Sequence, residues 1–412
     1  MRDLDLLAEP LLEELPPEEP GCRVVAVGGG HGVAQALLAV QSYAGEITAV
    51  VSVADDGGSS GRLTALGIPP PGDCRRALLA LSPDPSPWRE AACHRFRAGD
   101  VAGHSLGNLI LAALAADGSG LEAALYTLGL LLGARGRVVP AAPVGLTLQA
   151  VIDGAEVTGQ VAIALARGEL SRLQVLPPEV DASPSAREAL AAADQVVVGP
   201  GSLFTSLAAA LVVPGMVKAV NASPGRLVYV CNLTTQDGET LGMDAGDHVA
   251  SLCRITGMRA PDVVVANSAP FAVPASVEPG WADRDRIKAL GAHLEAADLA
   301  DPAAAWPQHD PARLGAVLRR LPLRRPEPGG GSERFRHHRR PGGSRPHRAG
   351  AGRPERAPEG RPGGRRLPDH RQPGNHPGAA RPGRSSGGLQ PPGPAEGAGS
   401  PVLHGPRGRP PG

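Results

Sequence analysis

Residues 23–32 read RVVAVGGGHG and residues 48–62 read TAVVSVADDGGSSGR. In both, a β-branched apolar run stops abruptly in glycine, as when a buried parallel strand hands over to a loop of phosphate size. Val33, Leu37, Leu38 and Val40 follow at helical spacing and predict an amphipathic helix across 33–43. The unit is therefore strand, glycine turn, helix, strand, acidic glycine turn. Orphan N–H groups at the first helix N-terminus favour an anion. The turn Gly28, Gly29, Gly30, Gly32 also serves simply to let helix and strand pack closely, and Val33 stands where a dinucleotide fingerprint needs its third glycine. The second loop carries more polar chemistry than a turn requires: Asp55, Asp56, Gly57, Ser59, Ser60 and Arg62.

Residues 195–206, QVVVGPGSLFTS, repeat the pattern of strand, glycine turn and helix start. Two such units predict a doubly wound α/β sheet, with ligand at the carboxyl ends of the strands near the point where strand order reverses. Asp73 is placed to cap a helix beginning at Cys74, with Arg75 and Arg76 in its first turn. Residues 103–107, GHSLG, match a nucleophile-elbow pattern. The preceding HRFRAGDVA is too polar for the strand such an elbow needs, so Ser105 is read as a helix cap, and a hydrolase using Ser105, His248 and Asp247 is kept as the rival. Residues 137–163 predict short antiparallel strands forming a β insertion. Residues 183–193 predict an N-capped helix, and strands at 226–233 and 262–267 end near Asn232 and Asn267.

The composition changes sharply after Leu323. Of the 55 glycines and 44 prolines many lie there, with no lysine and almost no large apolar residue. Such a segment cannot offset its ordering entropy by burial, which predicts a disordered Arg/Gly/Pro-rich tail at 324–412. That composition is also what a GC-rich gene yields when read out of frame, and nucleic acid is not expected as a partner. Residues 1–22 form an acidic, proline-broken extension unlike a signal peptide. The five scattered cysteines match reduced thiols, and no apolar run reaches the length of a membrane span. A cytoplasmic location is expected.

The blocks GGGHG, ADDGGSSGR, PPGDCRRALLAL, GHSLGN, GPGSLFTS and TTQDGETLGMDAGDHV, in this order across 23–321, resemble the gluconeogenesis factor family of the YvcK type, related to the CofD-type 2-phospho-L-lactate transferases. The resemblance implies a Rossmann-like domain at 23–323, a cytoplasmic dimer, binding of a UDP-sugar or another nucleotide, and a regulatory role in cell shape during gluconeogenic growth. It carries the nucleotide and phosphate contacts onto Gly28, Gly29, Gly30, Gly32, Asp55, Asp56, Gly57, Ser59, Ser60, Arg62, Asp73, Arg75, His104, Asn108, Gly199, Gly201, Ser202, Asn232, Thr235, Gln236, Glu239, Thr240, Asp247 and His248. The enzymatic alternative, a phospholactyl-type transfer to a deazaflavin hydroxyl, would place Mg2+ on Asp55 or Asp56. Four residues depart from the family pattern: His31 for threonine, Arg76 for asparagine, Met243 for an aromatic and Gly246 for serine.

Overall fold

The computed structural model describes residues 21–116, 118–274 and 278–324. The bulk of the acidic extension and of the predicted tail falls outside these residues. Within them, ten strands form two sheets. The larger contains β1 (Arg23–Gly28), β2 (Glu46–Val51), β3 (Arg137–Pro140), β7 (Gln195–Val198), β8 (Arg226–Val230), β9 (Val263–Asn267) and β10 (His293–Ala297). Its spatial order is β10-β9-β8-β7-β1-β2-β3, with every neighbouring pair parallel. The chain builds outward from β1 to β3 on one side, then returns to β1 and builds from β7 to β10 on the other. The switch point therefore lies between β1 and β7, each ending in one of the glycine turns singled out above.

Val24, Val25, Ala26 and Val27 are all at most 2% exposed, so β1 is covered on both faces. A continuous β-branched run is what a strand in the middle of a parallel sheet requires, and each buried valine contributes roughly 1.5–3 kcal/mol. The Gly30–Val40 helix covers one face through Val33, Ala36, Leu37, Ala39 and Val40. It packs against the helices Gly72–Leu81 and Pro311–Arg320. At Gly315 the last of these comes so close that an added Cβ would lie 2.6 Å from the Ala39 carbonyl oxygen.

The smaller sheet, inserted between β3 and β7, is antiparallel with order β5-β4-β6 and contains β4 (Thr147–Ile152), β5 (Ala155–Thr158) and β6 (Leu170–Leu176). Two parts of the 137–163 reading are corrected. Residues 137–140 add to the main sheet, because Val138 and Val139 continue its buried layer in parallel register with Ala49 and Val50. Gln160–Leu165 is a short helix instead of strand. Among the described residues no single helix is long and apolar enough to cross a membrane. A bent pair, Leu203–Leu211 with Met216–Ala222, meets a length and composition test, but residues 203–211 are buried in the core.

Candidate functional site

Two polar centres meet at the carboxyl ends of the strands. The first is a cleft of about 620 Å³ over the switch point, lined by His31, Gly32 and Gln35 from the first turn, Gly201 and Ser202 from the second, Asn232, Thr235 and Gln236 beyond β8, and Trp306 and His309 from the segment before the last helix. The two turns touch: a Cβ at Gly32 would lie 2.1 Å from the Pro200 carbonyl oxygen and 2.7 Å from Gly201 Cα. Only glycine permits that approach. Gly201, at φ +149, is held by Asn232, whose Oδ1 accepts from Gly201 N and whose Nδ2 donates to Gly201 O, both at 2.8 Å. Ser202 donates its hydroxyl to Gln236 Oε1 at 2.8 Å, and Gln236 N donates to Thr240 Oγ1 at 2.9 Å. The element after Ser202 opens as a wide π-type turn, Leu203–Ala208, a local irregularity common at functional sites.

The helix N-termini at both turns already hold protein carboxylates. Asp73 is not the cap of its own helix: that helix runs Gly72–Leu81, its preceding residue is Pro71, and Asp73 Oδ2 instead accepts from Gly30 N at 2.7 Å. The helix starts at Gly72, earlier than the sequence predicts, and an added Cβ there would lie 2.2 Å from Ser60 Oγ. At the second turn, buried Glu239 accepts from Phe204 N at 3.2 Å and from the Thr205 hydroxyl. Burial raises its pKa, against these hydrogen bonds. Of the first helix's orphan donors, Gly30 N–H is therefore satisfied internally, while His31 and Gly32, the next two residues, line the cleft.

The second centre lies beside the first, beyond β2. Asp55 accepts from Gly57 N at 2.9 Å and from Ser60. Burial, together with the nearby charge of Asp73, raises its pKa. Asp56 turns away to accept from Val161 N at 3.0 Å, at the start of the Gln160–Leu165 helix. The two acids thus bond to different segments, and no group of three or more His, Cys, Asp or Glu side chains that could hold a metal ion occurs among the described residues. Ser59 Oγ lies 3.0 Å from His104 Nδ1 and accepts from Asn108 Nδ2 at 3.0 Å. Arg62 donates to the Ala102 carbonyl. Arg75, buried, reaches the Ala92 carbonyl, and burial and the neighbouring Arg76 lower its pKa to about 10.

Asp247 and His248 join neither centre through a hydrogen bond. Asp247 forms a capping box with Asp244 and pairs with Arg286. His248 is 2% exposed and its Nδ1 lies 3.2 Å from the Tyr229 hydroxyl. Ser105 caps the Leu106–Ala115 helix by accepting from Asn108 N, so His248 and Ser105 have different partners and the hydrolase constellation is not assembled.

His309, Gln35 and Trp306 escape the sequence reading. His309 is 4% exposed, its ring bonds the Cys231 carbonyl, and its Nε2 has no partner. Burial lowers its pKa to about 4, so at neutral pH the ring is uncharged. With the ring N–H spent on the carbonyl, Nε2 of the neutral ring is an acceptor without a partner. Gln35 Oε1 is likewise buried and unpartnered. Both residues line the cleft. Exposed Trp306 adds an aromatic face at the same cleft.

The fold now has a family. The profile described as 2-phospho-L-lactate transferase CofD matches residues 24–300, more than half of the chain. The chain belongs to the CofD family. Within that family it is 40% identical over 249 residues to the gluconeogenesis factor of Bacillus subtilis, covering 60% of this chain and 78% of that one. A Mycobacterium tuberculosis relative is 41% identical over 313 residues, 72% of this chain and 89% of its own. The crystal structure of a UPF0052 family member from Bacillus halodurans superimposes with a TM-score of 0.69 at 35% identity, covering 72% of this chain and 99% of that one. This CofD-family sheet includes β10, which with the Pro311–Arg320 helix places the 306–309 segment over the switch point.

Burial of the two histidines has a consequence for pH. His248 and His309 are both lowered to about 4 from an ordinary 6.5. Between these values the unfolded chain binds more protons than the folded one, so stability rises with pH through the window and is lost as pH falls. The thermal midpoint is expected to fall by several degrees between pH 7 and about pH 5, and His309→Gln to flatten that slope. A midpoint indifferent to pH in this window would contradict the burial of neutral imidazoles.

Proposed function

We propose that this CofD-family protein is a gluconeogenesis factor that binds a nucleotide sugar, of the UDP-sugar class, in the cleft between the two glycine turns, and that it acts as a cytoplasmic regulator of cell shape and morphogenesis. The observation that carries the reading is the cleft: about 620 Å³, at the switch point, lined by His31 and Gly32 at the start of the first helix, by Gln35 and His309, which each carry a buried acceptor without a protein partner, and by the Trp306 indole. A helix N-terminus suits a diphosphate, the acceptors suit sugar hydroxyls, and Trp306 suits a base. The relatives that carry the name gluconeogenesis factor support that part of the proposal.

Titration calorimetry with a panel of nucleotide sugars is the test. One or more UDP-sugars should bind, and Trp306→Ala should weaken that binding roughly tenfold or more, since stacking on one aromatic is worth about 1–3 kcal/mol. Binding unaffected by the loss of the indole moves the base elsewhere. The family description favours a second reading, transfer of a phospholactyl-type group from a nucleotide diphosphate to a deazaflavin hydroxyl. Formation of the coupled product from those two substrates would select it.

A further inference from the structure

We propose that Asp301 is a positioning residue for the cleft, bracing the 301–308 loop into a preformed wall that presents Trp306 to the ligand's base; this rests on the nucleotide-sugar reading above. The loop follows β10 and ends at the cap of the Pro311–Arg320 helix. Its two ends are fastened to the body of the protein. Leu299 N donates to Asn267 Oδ1 at 2.9 Å and Asp310 N to Leu299 O at 2.8 Å, Ala300 and His309 pair in an antiparallel bridge, and the His309 ring bonds the Cys231 carbonyl. Between these ends residues 301–308 read DPAAAWPQ. Pro302 and Pro307 have no N–H to donate and the three alanines carry no polar side chain, so the tip has few means of tying itself down.

Packing does not hold the tip either. The loop lines the cleft through Trp306, Pro307 and Gln308, and it lines a second hollow of about 470 Å³, shared with residues 270–274, through Pro302, Ala304, Ala305 and again Pro307. Trp306 is 56% exposed. Among the described residues, the hydrogen bonds made by residues 302–307 all end on Asp301: Ala303 N donates to its Oδ1 at 2.9 Å and Ala304 N to its carbonyl at 3.4 Å. Asp301 also grips the returning limb, its N–H donating to Gln308 O at 2.9 Å and its Oδ2 accepting from Gln308 Nε2 at 3.3 Å. It therefore ties the outgoing limb to a residue of the cleft wall, two positions from the indole. A wall with open space on both sides and one internal brace loses its shape when the brace is removed, and the ligand must then supply the ordering. His309 does not share this dependence, because its ring is fastened separately to the Cys231 carbonyl, so the influence of Asp301 on binding runs through Trp306.

Calorimetry with UDP on the full chain tests this, with thermal midpoints confirming that each variant folds. Asp301→Ala should weaken binding about fivefold, the scale of one large side chain that has to be ordered on association. Asp301→Asn, which keeps an acceptor for the Ala303 N–H, should fall between that variant and the wild type. In a Trp306→Ala background the same Asp301→Ala change should shift affinity by less than about twofold, because a brace with no indole to present has nothing left to contribute. With Trp88→Phe and Trp281→Phe, Trp306 is the remaining tryptophan of the three, and its fluorescence anisotropy should fall on Asp301→Ala. Asp301→Ala binding equal to wild type, equal losses with and without the indole, or unchanged anisotropy would each overturn the proposal and leave the nucleotide site standing. If the wild type binds no UDP, the nucleotide reading fails and takes the presentation of Trp306 to a base with it, whereas a lowered anisotropy in Asp301→Ala would still support the brace.

Discussion

Replacing Gly32 by alanine is expected to reduce nucleotide-sugar affinity on the order of 100-fold, the scale at which a displacement of about 1 Å disables a site. The methyl group would stand 2.1 Å from the Pro200 carbonyl oxygen, 2.5 Å from its carbon and 2.7 Å from Gly201 Cα, all backbone atoms that cannot rotate away. The helix after β1 and the turn after β7 must then separate, and the cleft they jointly form widens at its base. Overpacking of this kind costs about 1–3 kcal/mol, so the thermal midpoint should also fall while the protein still folds. Calorimetry on Gly32→Ala with the best-bound UDP-sugar checks it. Unchanged affinity would mean that the ligand does not depend on the junction of the two turns.

Asn232→Leu should act on the same cleft from the other side. Its amide meets both the N–H and the carbonyl of Gly201, and leucine of similar size removes both partners while filling the space. A buried backbone group left without its partner costs about 1–3 kcal/mol. Gly201, at φ +149, is then free to relax, and both stability and ligand affinity should drop, affinity by tenfold or more. Asn267 provides the contrast. It ends β9, accepts from Leu299 N at 2.9 Å and donates to Ala269 O, yet does not line the cleft. Asn267→Leu should lower the thermal midpoint and leave affinity unchanged. If the two asparagine variants affect binding alike, the amide clamp on Gly201 has no special role.

The strand-to-turn units were legible because their physics is local. A β-branched run buried on both faces and ending in glycine has few other uses, and β1, β2 and β7 lie where residues 23–28, 48–51 and 195–198 suggest. The switch point between β1 and β7 followed from having two such units. The Ser105 cap was legible for a similar reason, since the polar segment before it excluded a buried strand. Asp73 was misassigned because a capping preference is a local rule, whereas its partner, Gly30 N–H, lies 43 residues away. Asp55 and Asp56 are adjacent in sequence, but their carboxylates bond to different segments, Gly57 and the inserted region at Val161, which adjacency alone does not show.

The segment 306–309 left only a faint trace. Asp310 followed by Pro311 is a good helix start, and it does cap the Pro311–Arg320 helix by accepting from Ala312 N and Arg313 N. Nothing local connects the residues before that cap with His31 and Gln35, more than 270 positions earlier. Only the packing of the final helix on the Gly30–Val40 helix brings them together.

Hydrogen exchange of the full chain with and without a saturating UDP-sugar tests most directly whether the ligand lies across the switch point. The expected result is slowed exchange at 30–35, 201–207, 232–237 and 306–310, the segments that meet at the cleft. Protection confined instead to the Gly120–Leu132 helix and β3, which line a separate apolar groove of about 670 Å³, would contradict the account.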